Sequence, residues 1–293
     1  MWRGVLNLWK PRGWTSRDAV NHVQRLAPRR TKIGHAGTLD PLAEGVLVVC
    51  VGPATRLIEY AQRGRKRYLA TFTLGLTSTT DDSDGEILAR RPAEAVTREQ
   101  LEALLPEFVG TISQTPPRFS AIHVQGERAY DLARRGEDFD LASRDVEIHA
   151  IRLLDWSPPH FQLDVECGSG VYIRSLGRDL GERLGVGAIM TALVRIAVGT
   201  CTQETARNPE ELDRATLGNE LLCPLTLLAD LPRARISEDD VVAIRQGKTI
   251  PIEHPPAEEL VLMNDQDHLV AIAISTPDPE RWRPKLVFPP ESD

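Results

Sequence analysis

The chain has 293 residues, of which 41% are hydrophobic and 26% charged, the proportions of an ordinary globular protein with room for one large domain and a small one. It contains no run of about 18 apolar residues, so a membrane-spanning helix is not expected; the opening segment MWRGVLNLWKPRGWTS has no apolar stretch leading to a small-residue cleavage site, so no secretory leader is expected either. The net charge of −7 argues against a nucleic-acid partner only as an average, because residues 1–75 hold 13 Lys+Arg against 4 Asp+Glu while the remaining 218 residues hold 22 against 38. Such asymmetry fits one face that meets a polyanion, although basic residues on solvated helix faces would give the same count.

In chain order, residues 16–27 place Ala19, Val20, Val23, Leu26 and Ala27 on one helical face, with Thr15 or Ser16 as N-cap and Pro28 as terminator. Residues 34–45 form a Gly-rich loop, and 46–51 (VLVVCV) are a continuous β-branched apolar run that predicts a buried strand. Alternation predicts a strand over 68–76, and the capping-box pair Thr97 and Gln100 predicts a helix over 98–105. Residues 115–126 read as a loop or hairpin, followed by a short helix that stops at Gly136. A strand is expected over 161–167. The stripe Ile173, Leu176, Leu180, Leu184 predicts a helix over 172–184. Ser237 with Asp240 starts a last helix that ends before Gly247, and short apolar runs among prolines make 248–288 a small β-rich module. Helices and strands mix without a regular βαβ repeat, so the fold class is α+β, and neither an internal repeat nor a low-complexity tract is present.

The four cysteines, Cys50, Cys167, Cys201 and Cys223, form no Cys-x-x-Cys pair and have no His at zinc-finger spacing, which reads as reduced, mostly buried thiols of a cytosolic protein. P-loop, dinucleotide-binding and His-Glu-x-x-His patterns are absent. The segment Thr80–Arg91 has Asp82, Asp84 and Gly85 where a calcium loop would, but Thr80 at its first ligand position and Arg91 at its twelfth make it an acidic turn. The informative stretch is Gly34-His35-Ala36-Gly37-Thr38-Leu39-Asp40-Pro41-Leu42-Ala43-Glu44-Gly45. Its glycines permit close backbone approaches, Pro41 biases Asp40 toward an extended conformation, and the following buried strand gives the carboxylate a rigid support. On local chemistry alone, an Asp before Pro in such a loop is more often a turn residue than a reactive one.

The whole string resembles the signature of the TruB-type pseudouridine synthases, Gly-His-x-Gly-x-Leu-Asp-Pro-x-Ala-x-Gly-x-Leu. Further segments resemble other motifs of that family in order: Lys10-Pro11-x-Gly13-x-Thr15-Ser16, Lys66-Arg67-Tyr68, Pro117-Arg118-Phe119-Ser120-Ala121, Gly126-x-Arg128-Ala129-Tyr130-x-Leu132-Ala133, Gly170-Val171-Tyr172-Ile173-Arg174-Ser175 and Val198-Gly199. The resemblance implies a mixed, largely antiparallel sheet flanked by helices in a catalytic domain over residues 1–229, with an RNA-gripping insertion at about 115–145. Residues 230–293 are similar to the small RNA-binding PUA module.

The implied activity is conversion of one uridine (position 55) in the T arm of transfer RNA to pseudouridine, by flipping the base out, with no metal or organic cofactor. Asp40 is the implied essential carboxylate, Arg174 its guanidinium partner, and Tyr68 the ring that stacks on the base and serves proton transfer at C5. Tyr172 and Leu193 are expected to line the pocket, His35 to pack into the RNA loop near the space that the base vacates, and Lys10 with Pro11 to buttress the site, with Lys10 also among the substrate-binding residues. Taken singly, His35, Tyr68, Tyr172 and Leu193 would read as structural or core residues, and Arg174 as a surface ion-pair member. Arg25, Arg29, Arg30 and Lys32, and the cluster Arg63, Arg65, Lys66, Arg67, are candidates for phosphate contact. The expected protein is a cytoplasmic monomer that binds the T-arm stem-loop with no guide RNA and no membrane.

Four positions depart from the family pattern: Trp9 for Asp, His123 for Lys, Thr79 for Asp and Val194 for Arg. They bear on RNA affinity more than on chemistry. An RNA-binding or tRNA-folding protein with secondary or lost catalysis, and the guide-RNA-directed branch of the same superfamily, are the competing readings; intact Asp40, Tyr68 and Arg174 weigh against the first.

Overall fold

The computed structural model describes residues 2–120, 122–124 and 126–290. In chain order the larger unit comprises β1 (Gly4–Lys10), α1 (Ser16–Leu26), β2 (Ile33–His35), β3 (Glu44–Val51), α2 (Ile58–Arg63), β4 (Lys66–Leu74), β5 (Leu76–Ser78), β6 (Ile87–Arg90), α3 (Arg98–Leu104), β7 (Gly110–Gln114), β8 (His123–Val124), β9 (Glu127–Arg128), α4 (Ala129–Arg134), β10 (Arg144–Ser157), β11 (His160–Cys167), α5 (Ile173–Arg183), β12 (Ala188–Val198) and β13 (Cys201–Thr202). Nine of these strands form one sheet in the order β1-β3-β12-β4-β11-β10-β7, with β2 added to β3 and β13 to β12. All of its pairings are antiparallel except β3 with β12, which run parallel through Val194↔Glu44 and Arg195↔Gly45.

Local signals explain the helices. Thr15 is the N-cap of α1 and makes a reciprocal capping box with Asp18, which leaves Ser16 free for another task. Thr97 and Gln100 do the same for α3. Helix α5 turns Ile173, Leu176 and Leu180 onto the sheet, where they join Tyr68, Phe72, Phe161, Val165 and Leu193 in the main core. On the other side of β1 and β3, Leu6, Leu8, Leu47, Val49 and Val51 pack under Ala19, Val20 and Val23 of α1. Strand β3 is therefore covered on both faces, so its sequence does not alternate. The strand expected over 68–76 breaks at Gly75, whose φ of +81° few other residues would adopt, and restarts as β5.

The tail contributes β14 (Arg233–Arg235), α6 (Glu238–Arg245), β15 (Ile250–Pro251), β16 (Glu259–Met263), β17 (Leu269–Ser275) and β18 (Arg281–Val287). They form a second sheet, β14-β16-β17-β18-β15, with its own core of Ile244, Leu260, Leu262, Val270 and Trp282. Ser237 caps α6 as its sequence suggests. A separate apolar cluster joins the two units: Leu57, Tyr60 and Leu228 pack on Val261, Ile272 and Phe288. Beside it the Tyr60 hydroxyl donates to Glu259 at 3.1 Å, and Lys285 donates to the same carboxylate at 2.5 Å. Among the described residues no helix is long and apolar enough to cross a membrane.

Candidate active site

The loop that carries Asp40 is fixed at nearly every residue. After β2, Ala36 N–H donates to Val48 at 2.9 Å, and Ala43 N–H closes a turn on the Asp40 carbonyl at 3.1 Å. Ser16 of α1 accepts from Leu39 N–H at 2.8 Å, and Gly13 N–H donates to Pro41 at 2.7 Å. Leu39 and Leu42, on either side of Asp40-Pro41, are buried in the main core. Lys10 lies entirely inside, its ammonium donating to the carbonyls of Ala43 and Trp14 at 2.6 Å and of Pro11 at 3.0 Å. Burial lowers its pKa to about 8. Gly45 has φ +113°, and a Cβ there would stand 2.3 Å from the Arg195 carbonyl, so only glycine lets β3 run this close to β12.

Arg174 sits in the first turn of α5, 5% exposed. Its Nε meets Asp40 Oδ2 at 3.0 Å, its Nη1 meets Thr80 O at 2.9 Å and Asp82 Oδ2 at 3.5 Å, and its Nη2 meets Phe119 O at 3.1 Å. One guanidinium thus ties together the Asp40 loop, the acidic turn and the insertion. The Asp40 side chain nevertheless keeps 37% of its surface open, so a substrate atom has access to the carboxylate. Partial burial pushes the Asp40 pKa above the usual carboxylate value, while Arg174 opposes the rise and Asp82 adds to it. Beneath it lies Tyr68 of β4, 8% exposed, its phenol pKa raised by burial and held back by Arg195. Leu193 packs in the same cluster.

The remaining expected residues divide. The Tyr172 ring lies under the Arg144 guanidinium at 5.1 Å, and its peptide N–H donates to Gln114 at 2.8 Å, which fixes the start of α5. His35 is half-buried on β2, its pKa lowered by burial and by Arg17 and Arg195, which favours the neutral ring. Arg29 and Arg30 are exposed in the turn after α1, as a phosphate contact requires. Two expectations need correction. Lys66 is 7% exposed and turns its ammonium onto the carbonyls of Gln62 and Gly64, so it is not placed to meet phosphate. Lys10 fits the expected buttress but not a contact with substrate, since its three donors are spent on the chain itself. Arg63, Arg65 and Arg67 remain exposed but are each paired, with Glu59, Glu166 and Asp164. Ala121 of the insertion motif lies outside the described residues, as do the side chains of His123 and Arg128.

Two charged groups at the site were not foreseen. Asp82 belongs to the segment read as an acidic turn; it is 4% exposed, accepts from the Thr80 hydroxyl at 2.5 Å and Asp84 N–H at 3.1 Å, and faces Arg174. Thr80-x-Asp82 followed by Gly85 was the available signal: a Cβ on Gly85 would come within 2.3 Å of the Thr80 hydroxyl. Arg195 on β12, 1% exposed, lies under the Asp40 loop, and nothing local in Val194-Arg195-Ile196 marks it.

The profile described as TruB family pseudouridylate synthase (N terminal domain) matches residues 24–173. A Dehalococcoides mccartyi protein named tRNA pseudouridine synthase B is 38% identical over 289 residues, 97% of this chain and 96% of its own length. The chain belongs to the TruB family of pseudouridylate synthases. Proteins of the same name from Synechococcus elongatus, 44% identical over 85% of both chains, and from Acaryochloris marina, 49% identical over 66% of this chain and 67% of the other, are also similar. The fold is shared with the solved structure of an H/ACA ribonucleoprotein bound to a substrate RNA containing 2′-deoxyuridine (TM-score 0.74, 23% identity, 98% of this chain and 85% of that one). A Cbf5-Nop10-Gar1 complex shows it as well, with TM-score 0.73 at 24% identity over 98% of this chain and 84% of that one. The family match takes in the Asp40 loop, Tyr68 and the acidic turn but ends one residue before Arg174, so the place of that arginine in this TruB family member rests on its geometry.

Proposed function

We propose that this chain converts the uridine at position 55 in the T arm of transfer RNA to pseudouridine, as a cytoplasmic monomer that needs no guide RNA. The observation that carries the reading is Asp40: a carboxylate paired at 3.0 Å with a buried guanidinium, on an immobilised turn, with over a third of its side chain still open. An ion-paired carboxylate that remains accessible is equipped to act as nucleophile or base. Similarity to relatives named tRNA pseudouridine synthase B supports pseudouridine formation in tRNA.

In the reaction, the uridine N1–C1′ bond breaks, the base turns, a C5–C1′ bond forms, and the C5 proton leaves as N1 gains one. Asp40 acts on the sugar, by attack at C1′ or by removing the 2′ proton. Arg174 keeps Asp40 ionised and aimed, Tyr68 receives the base against Leu193 and Tyr172, and the Tyr68 hydroxyl serves proton transfer at C5. His35 occupies the RNA loop beside the vacated base position. Flipping the target base costs a few kcal/mol of stacking, which contacts from Arg29, Arg30 and the insertion at about 115–145 offset. Residues 1–229 form the catalytic domain, and the second sheet, within 230–293, is a PUA-like module that binds RNA. The steps invoked use protein side chains and no organic cofactor or metal.

The test is release of tritium from a C5-labelled, unmodified tRNA transcript, with no other macromolecule present. Release that maps to one T-arm uridine supports the reading; release that needs an added guide RNA would move the protein to the guide-dependent branch. Asp40→Asn should abolish turnover and leave tRNA binding nearly intact, because the carboxylate serves the transition state. A tenfold or greater loss of binding in that variant would contradict the role given to Asp40.

A further inference from the structure

Arg195 is a buried arginine without an acidic partner: among the described residues no carboxylate lies within ion-pair distance, and its donors go to neutral oxygens. Nε donates to Val46 O at 2.7 Å, Nη2 to Gly37 O at 3.2 Å and Nη1 to Thr38 O at 3.4 Å. The last two are the carbonyls of the turn that leads into Leu39 and Asp40. Across the antiparallel ladder Arg195 is opposite Tyr68, and its positive charge opposes the rise that burial imposes on the phenol pKa. The ladder shifts register directly after this pair, between Arg195 and Ala197. Burying a guanidinium against neutral acceptors alone is costly. A fold that needed only a filled core could place leucine there.

We propose that Arg195 is a positioning residue that couples the two reactive groups, clamping the Gly37–Thr38 turn that carries Asp40 and holding a fixed positive charge beside the Tyr68 phenol. Arginine offers donors and no acceptor. A fixed cation opposite the phenol favours the orientation in which the Tyr68 O–H points away from Arg195. The same positive charge stabilises the phenolate, the form of Tyr68 that can accept the proton leaving C5. The other charged or titratable groups that face the phenol are Asp40 and Cys167, and burial opposes ionisation. The inference rests on the reading of Tyr68 as the group that handles a proton at C5.

The test uses the full chain carrying 3-fluorotyrosine at its four tyrosines, with the Tyr68 fluorine signal assigned by its loss in Tyr68→Phe. Arg195→Met and Arg195→Lys are made in both the parent and the Tyr68→Phe background. Removing an adjacent cation should raise the Tyr68 titration midpoint in Arg195→Met by about 1 pH unit or more, with the other three tyrosines unmoved. Single-turnover tritium release should fall by about tenfold or more, with tRNA binding within about threefold of the parent. In the Tyr68→Phe background the Arg195→Met loss should shrink, because the two act as a unit. Arg195→Lys should keep the Tyr68 midpoint near the parent value yet lose rate, since a compact ammonium does not reproduce the planar fork with which the guanidinium holds Val46, Gly37 and Thr38.

An unmoved Tyr68 midpoint, or rate losses that add fully, would overturn the inference. Should Arg195→Met not fold, by circular dichroism, Arg195→Lys decides through the same additivity, full addition again overturning it. A fully active Tyr68→Phe would instead remove Tyr68 from the chemistry; the fluorine titration would then still report whether Arg195 governs the phenol.

Discussion

Replacing Arg174 with methionine keeps much of the side-chain volume and removes the cation that faces both Asp40 and Asp82. The two carboxylates are not equivalent. Asp40 has 37% of its side chain open and can recover part of its hydration, whereas Asp82 is 6% open and cannot. Stripping one partner from a buried pair costs about 3–5 kcal/mol, and the exposure of Asp40 places the expected loss at the lower end, about 3 kcal/mol. In a chain of this size that corresponds to a fall in Tm of about 6 °C. The loss should depend on pH in a definite direction. An acid whose folded pKa lies above its unfolded value binds more protons folded than unfolded between those values, so stability falls as pH rises through that window. Asp40 is already raised, and without Arg174 it rises further. The Tm deficit of Arg174→Met, measured by scanning calorimetry, should therefore be larger at pH 8 than at pH 5. An equal deficit at both would show that Arg174 stabilises through packing alone and that the electrostatic account of the site is wrong.

Lys66→Met should lower stability by about 1–3 kcal/mol, because the Gln62 and Gly64 carbonyls lose a charged donor; it should leave the salt dependence of tRNA binding unchanged, and a slope reduced by about 1 would restore Lys66 as a phosphate contact. Replacing Arg29 and Arg30 together with alanine should do the reverse, with stability held and the slope of log Kd against log salt flattened by about 1–2. Filter binding at several salt concentrations reads both; an unchanged slope for the double variant would show that these two exposed residues point away from the RNA.

Helix α1 with its cap, the buried strand β3, α3 with its capping box, the stripe of α5, and α6 were all legible because each is specified by neighbours in sequence: a capping pair, a 3.6-residue period, an unbroken β-branched run. Three long strands, β1, β10 and β12, carry no comparable signal. β1 is buried on both faces, while β10 and β12 have register shifts within them, which break a period of 2. The same division runs through the site. Asp40 stood out through its glycines and proline, and Tyr68 and Arg174 through motif resemblance. Lys66 was misjudged because a run of basic residues looks alike whether its ammonium faces water or a carbonyl. Asp82 and Arg195 belong to the site only through residues distant in the chain: Arg174, 92 positions from Asp82, and Thr38 and Gly37, 157 and 158 positions from Arg195.

By itself the sequence determined which short segments are helix or strand, the family, and the carboxylate on the glycine-flanked loop. Tertiary structure alone decided which charges face one another, because ion pairs and buried donors are set by distances across a nine-stranded sheet whose neighbours lie far apart in the chain. A lysine can be a surface cation or a buried strut with the same flanking residues; the difference lies in the carbonyls that the fold brings to it.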